Sequence, residues 1–189
     1  MKRLNIIHSI LPKTRYFVES KSGVIIMLSV ERSEAKIRPM EHSDIDGVLA
    51  IYSKIRDEKI PGVKRSRLSY RGTMTYEEVA STNPGGPLDL SLVAEVNSKV
   101  IGFIWSRLAY VGIPVDEVGV IYMLIVDPDY QKQGIAQKLV EALSERCHIR
   151  GANTVRAVID ERHWELQNYF QRLGFHRSEL VIYTRTSKT

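Results

Sequence analysis

The chain carries one cysteine, Cys147, in 189 residues, so no internal disulfide can form and packing alone must hold its core. That scarcity fits a reducing compartment, and the expected location is the cytoplasm. Apolar runs are equally short, the longest being residues 23–30, against the roughly 20 residues a membrane-spanning helix requires. No membrane partner is expected. The apolar stretch at residues 4–11 is broken by Asn5 and His8 and lacks a small-residue cleavage site, which argues against a secretory signal. Histidines and carboxylates occur without a paired spacing such as His-Glu-x-x-His, so no metal is expected. The formal charge of +5 is concentrated in residues 1–36, where seven cations face three carboxylates. The rest of the chain is close to neutral and lacks the basic stripe of a nucleic-acid binder.

A hydrophobic content of 43% in a chain of this length supplies one ordinary core. Residues 1–35 show no clean period and read as an N-terminal extension, disordered or the product of a start upstream of Met27; residues 36–189 read as the domain. Ile37 and Met40 predict a short strand. Ser43 is the expected N-cap, with Asp46 three residues on, of a helix carrying Ile45, Val48, Leu49, Tyr52 and Ile55 at helical spacing. Residues 59–74 read as a basic loop and 75–81 as a short helix. Segments 90–96 and 100–110 predict a hairpin turning at Asn97-Ser98, and 117–126 a third strand that Pro128 ends. Helices are expected over 135–150 and 163–173, a buried strand over 154–159 and a closing strand or hairpin over 175–184. This order predicts a mixed α+β, or α/β, fold with helices on both faces of one sheet.

The run from Val126 to Ala136 carries the most chemistry. Asp127-Pro128 ends a strand, and Gln131-Lys132-Gln133-Gly134-Ile135-Ala136 opens a helix, continuing into Gln137. Successive backbone N–H groups at such a turn form an anion nest, reinforced by the helix dipole. Gly134 lets the backbone approach phosphate oxygens, Ala136 keeps the next position small, and Gln131, Lys132 and Gln133 supply donors or charge at the mouth. Val-x-Pro followed by Gln-x-x-Gly-x-Ala resembles the signature loop of the GNAT superfamily of N-acetyltransferases, and Leu173-Gly174-Phe175 resembles a second family feature.

That resemblance implies a twisted, mostly antiparallel sheet whose central fourth and fifth strands splay apart, with acetyl-CoA as co-substrate. Leu124, Ile125 and Val126 then fall on the splayed strand, whose free backbone groups hydrogen-bond the pantetheine arm. The family often places a Tyr four residues before the Gly of Leu-Gly-Phe to return a proton to the leaving thiolate. Here Phe170 holds that place, so Tyr169, one position away, is the acid expected in its stead; Asn168 is the expected pantetheine partner.

A general base must also free the amine, at about 1 kcal/mol for an α-amine and about 4 to 5 kcal/mol for a lysine. Val120 occupies the position where some relatives carry a Glu. The base role is left to Tyr122 through water, or to Glu117 or Glu95. The implied reaction is direct attack by a primary amine in a ternary complex, the acceptor being a small molecule or a protein lysine. Only fifteen residues follow Gly174, which leaves little room for a long peptide-binding hairpin and favours a small acceptor. Rival readings are a peptide or protein N-terminal or lysine acetyltransferase and a non-catalytic acyl-CoA sensor. A homodimer is compatible with all three.

Overall fold

A computed structural model describes residues 13–19, 25–31, 34–57, 83–87, 89–183 and 185. The chain divides into two compact units, Met1–Glu34 and Ala35–Thr189. In the first, β1 (Lys13–Glu19) pairs antiparallel with β2 (Ile25–Glu31), in register from Lys13↔Glu31 to Glu19↔Ile25. The sequence reading did not anticipate this hairpin. Ile25-Ile26-Met27-Leu28 is a continuous apolar run, which shows no alternation from which a strand could be read.

The second unit is one five-stranded sheet in the order β3 (Lys36–Pro39), β4 (Leu92–Val96), β5 (Lys99–Val111), β6 (Asp116–Val126), β7 (Val155–Ala157). Every neighbouring pair is antiparallel except β6 and β7, which run parallel. The β4–β5 hairpin turns at Asn97 and Ser98, with φ of 49° and 61°, the paired left-handed geometry that suits a two-residue connection. Helix α1 (Ile45–Asp57) covers one face, where Val48, Ile51 and Tyr52 pack on Val93, Phe103 and Met123. The opposite face takes α2 (Ile135–Ile149) and α3 (Trp164–Arg172), whose Leu139, Leu143 and Phe170 join Leu92, Ile104 and Ile121. The predicted mixed fold with helices on both faces is the one observed.

Three local expectations need correction. Ser43 is not the cap of α1: a 3-10 turn, His42–Asp44, precedes it, and Asp44 Oδ2 accepts from Glu41 N at 2.8 Å. The same carboxylate is fixed by Arg38, which suits it to close the turn. The strand expected over 154–159 shrinks to three half-buried residues, because β7 pairs only with Gly119, Val120 and Ile121. No strand follows α3 among described residues 175–183. Leu180, Val181, Ile182 and Tyr183 have strand propensity but lie exposed, with no neighbouring strand among the described residues to complete a hydrogen-bond ladder. The helix expected at 75–81 and the loop at 59–74 lie outside the described residues.

One glycine fixes how closely α2 lies on the sheet. A Cβ placed on Gly119 of β6 would stand 2.4 Å from Cys147 Sγ, so only glycine fits beneath this thiol. Cys147 is buried, and burial pushes its thiol up to about 11, which makes it a packing residue rather than a nucleophile. Gly119→Ala is therefore expected to lower stability by about 1 to 3 kcal/mol in urea titrations. Adding Cys147→Ala, which vacates the space, is expected to restore most of that loss; strict additivity of the two changes would contradict the packing argument.

Candidate functional site

The central feature is a fork between β6 and β7. Their pairing ends at Ile121↔Ala157, whereas β6 runs on to Val126. Asp127 N donates to Ile101 O at 2.8 Å, so the antiparallel alternation directs the backbone groups of Ile125 and Met123 towards β5. Those of Leu124 and Val126 point the other way, into the fork. Of the three strand residues picked out in the sequence, Leu124 and Val126 thus present main-chain groups to the opening; Ile125 spends its own on the β5 ladder.

A β-bulge lies at the apex. Trp105 pairs with Met123 and Ser106 with Ile121, leaving Tyr122 as an extra residue on β6. Such a residue bends its strand and increases the local twist, which carries the last part of β6 away from β7. The bulge also exchanges the two faces: Gly119 and Ile121 face α2 before it, Leu124 and Val126 after it.

The strand end leads into a 3-10 turn, Pro128–Tyr130, and then into α2. Lys132 adopts φ 60° and Gly134 φ 77°, two left-handed residues that curl the backbone before the helix begins. Gly134 is the N-cap and no side chain among the described residues caps the helix, so the first-turn N–H groups of Ile135, Ala136 and Gln137 point outward with that of Gly134. Nothing lies within 4 Å of a Cβ built on Gly134. Buried Ile135 anchors the turn, while Lys132 and Gln133 are exposed at its mouth. Two side chains have other tasks than an anion: Gln131 Nε2 donates to Val126 O at 3.1 Å, and Gln137 Nε2 to Glu141 Oε1 at 2.9 Å. Gln131 therefore ties the loop to the strand end.

A second clamp was not legible in the sequence. Lys54 of α1 reaches both Asp127 Oδ1 and Asp129 Oδ2 at 2.6 Å, and Asp127 Oδ1 also accepts from Asp129 N at 3.1 Å. Lys99 stands 5.7 Å from the centre of the Tyr130 ring. The turn before the nest is thus held from α1 and from β5. Burial would raise the Asp127 carboxyl, but the Lys54 ammonium and the Asp129 N–H together outweigh it and hold the group below its usual range. A carboxylate whose folded pKa is depressed contributes stability above its unfolded pKa, and loses it as pH falls through the folded value. Lys54→Met is accordingly expected to lower the melting temperature at neutral pH. The gap to wild type should begin closing below about pH 4, as measured by thermal melts across pH. A gap independent of pH would show that Lys54 acts through packing alone.

The expected catalytic groups are only partly gathered. Tyr122 sits at the fork apex, half exposed, its ring 6.0 Å from that of Trp105. Glu117 lies five residues earlier on β6, about 16 Å along the strand at about 3.3 Å per residue, and the fold does not bring it to the fork. Glu95 is held by Arg38 Nη2 at 2.7 Å at the other side of the sheet. On α3, Phe170 is buried against Phe175. Tyr169 is half-buried beside it under the Arg172 guanidinium, and burial raises its phenol pKa, so the hydroxyl keeps its proton. Asn168 is exposed, 200° round the helix from Phe170. No group of three or more potential metal-binding side chains occurs among the described residues.

Residues 52–175 match the sequence profile of the Acetyltransferase (GNAT) family. The chain belongs to this family of acyl-transferring enzymes. Among individual proteins, it is 31% identical over 150 residues to an uncharacterised N-acetyltransferase of Methanocaldococcus jannaschii, covering 77% of this chain and 62% of that one. It is 30% identical over 96 residues to a mycothiol acetyltransferase of Cellulomonas flavigena, covering 48% of this chain and 28% of the other. The chain therefore spans less than two thirds of the length of these relatives. In fold it resembles the aminoglycoside acetyltransferase AAC(6')-Iy, solved with a bisubstrate analogue, CoA-S-monomethyl-acetylneamine. The TM-score is 0.63 at 18% identity, over 82% of this chain and all of that one.

Proposed function

We propose that the chain is an acetyl-CoA-dependent N-acetyltransferase that transfers acetyl to a primary amine by direct attack in a ternary complex. The observation that carries this reading is the join of an open strand fork to an uncapped helix N-terminus. The diphosphate of the coenzyme rests on the N–H groups of Gly134 to Gln137, with Lys132 and Gln133 at the rim. The pantetheine arm runs into the fork as a surrogate strand, exchanging hydrogen bonds with Leu124 and with the Val126 N–H, the Val126 carbonyl being held by Gln131. Its thioester then lies near Tyr122, about 13 Å further along β6 at the usual rise.

The amine nitrogen attacks the acetyl carbonyl carbon, the carbon–sulfur bond breaks, and the thiolate takes up a proton. Tyr169, neutral and next to the buried Phe170, is the side-chain acid in this scheme, with Asn168 the polar partner offered from α3. The proton of the attacking amine leaves through water beside Tyr122, because Glu117 stands too far along the strand. Phe170 in place of the family's tyrosine favours one other reading, a non-catalytic acyl-CoA sensor. Thiol release measured with acetyl-CoA and a panel of amino acids, polyamines, aminoglycosides and lysine peptides separates the two. Turnover with any amine establishes the enzyme. Acetyl-CoA binding with no thiol release across the panel establishes the sensor.

A further inference from the structure

Resting on the proposed coenzyme placement, the sheet itself bears on the acceptor. One face of the fork is closed: Ile121 and Ala157 pack there against Leu139, Leu143 and Phe170. An amine must therefore reach the thioester from the opposite face, where the contacts of α1 centre on Phe103 and Met123.

On that face the strand register places Arg107 of β5, Val120 of β6 and Arg156 of β7 in one row. The assignment of faces follows from their neighbours, since Leu108, Gly119, Ile121, Val155 and Ala157 all turn towards α2. Adjacent strands lie about 4.8 Å apart, so the two arginine backbones stand about 10 Å from each other, on either side of Val120. The next row towards the fork holds Trp105, with Tyr122 against it.

Two buried donors on this floor lack acceptors, and a second guanidinium, Arg107, stands in the same row. Trp105 Nε1 and Arg156 Nη1 are buried and find no hydrogen-bond partner among the described residues. Arg107 makes no ion pair among them. Arg156 Nη2 reaches Asp116 at only 3.4 Å, and that carboxylate is more than half exposed. A buried donor left unpaired costs about 1 to 3 kcal/mol, more when charged, so such a cluster points to a ligand that completes it.

We infer that the acceptor amine carries an anionic group, a carboxylate or a phosphate, received by Arg107, Arg156 and the Trp105 indole N–H. Two guanidiniums bind a planar or tetrahedral oxyanion through charge-assisted bonds, and Trp105 and Tyr122 wall the path to the thioester. The same floor repels a polycationic amine. The specificity would then be opposite in charge to that of the aminoglycoside acetyltransferases whose fold the chain shares.

The test uses the full chain, acetyl-CoA and acceptors paired to differ only in the anion: amino acids against their carboxamides, and glucosamine 6-phosphate against glucosamine, with kanamycin as the polycation. The anionic member of at least one pair is expected to show a kcat/KM higher by on the order of ten- to a hundredfold. Arg107→Gln should remove most of that preference through acceptor KM, leaving the KM for acetyl-CoA and the melting temperature unchanged; Arg107→Lys should keep part of it. Arg156→Gln is the second variant and is judged on the same ratio. Equal or better turnover of the neutral or cationic member, or an undiminished preference in both variants, would overturn the inference. So would the absence of turnover with every anionic amine while acetyl-CoA binds. Failure of acetyl-CoA itself to bind in calorimetry is a different result, which sinks the coenzyme reading beneath it.

Discussion

Gly134→Asp is expected to abolish measurable acetyl-CoA binding while leaving the fold intact. The residue sits at φ 77° with nothing within 4 Å of a Cβ placed on it. Aspartate and asparagine tolerate the left-handed region better than most residues, so the strain is small and no neighbour is displaced. The new carboxylate would lie where the proposed placement sets the diphosphate. Two like charges about 4 Å apart at a protein surface repel by about 4 kcal/mol, which corresponds to a loss of affinity on the order of a thousandfold. Gly134→Asn provides the control, being equal in bulk and conformational tolerance but uncharged. Calorimetry should show it far closer to wild type than the aspartate variant. Equal losses would assign the effect to bulk, and unchanged affinity in both would remove the coenzyme from this loop.

Tyr169→Phe is expected to lower kcat by about 10²- to 10⁴-fold, the usual contribution of a general acid, with little change in acetyl-CoA affinity. Phe170 is buried against Phe175 and has no proton to give. Tyr169 is the hydroxyl next to it, and burial keeps that hydroxyl protonated. The 100° between successive helical positions sets the second half of the test. If α3 lies in the family's usual register, Phe170→Tyr should recover activity in the Tyr169→Phe background. A loss below threefold in the single variant would pass the proton to water or to Tyr122. With no recovery in the double variant, it would leave no side-chain acid on α3.

Much of the second unit was legible because its signals are local. Asn97-Ser98 between two β-rich runs announced a hairpin, Pro128 stopped a strand, and Gly134 and Gly151 bracketed a helix whose apolar stripe repeats every turn. The nest was readable for the same reason, lying in consecutive residues. What escaped depends on distance. Lys54 is one more polar residue on an amphipathic helix until the fold sets it between Asp127 and Asp129. Arg107 and Arg156 are forty-nine positions apart and become neighbours only through the register of three strands. Residues 180–183 failed in the other direction: their composition suits a strand, but no composition supplies the partner a strand requires.

The Tyr122 bulge bears on which changes of chain length this protein tolerates. Deleting Tyr122 would leave Ile121 opposite Ser106 and Met123 opposite Trp105, and side chains on both halves of β6 would keep their present faces. Such a deletion, unlike most within a central strand, is nearly silent for the core. Its effect is geometric: the strand straightens, the local excess of twist is gone, and the end of β6 can close on a neighbour as in any regular sheet. One residue thus separates a slotted sheet from a sealed one, and a shortened descendant of this chain could stay well folded yet have nowhere to admit an extended ligand.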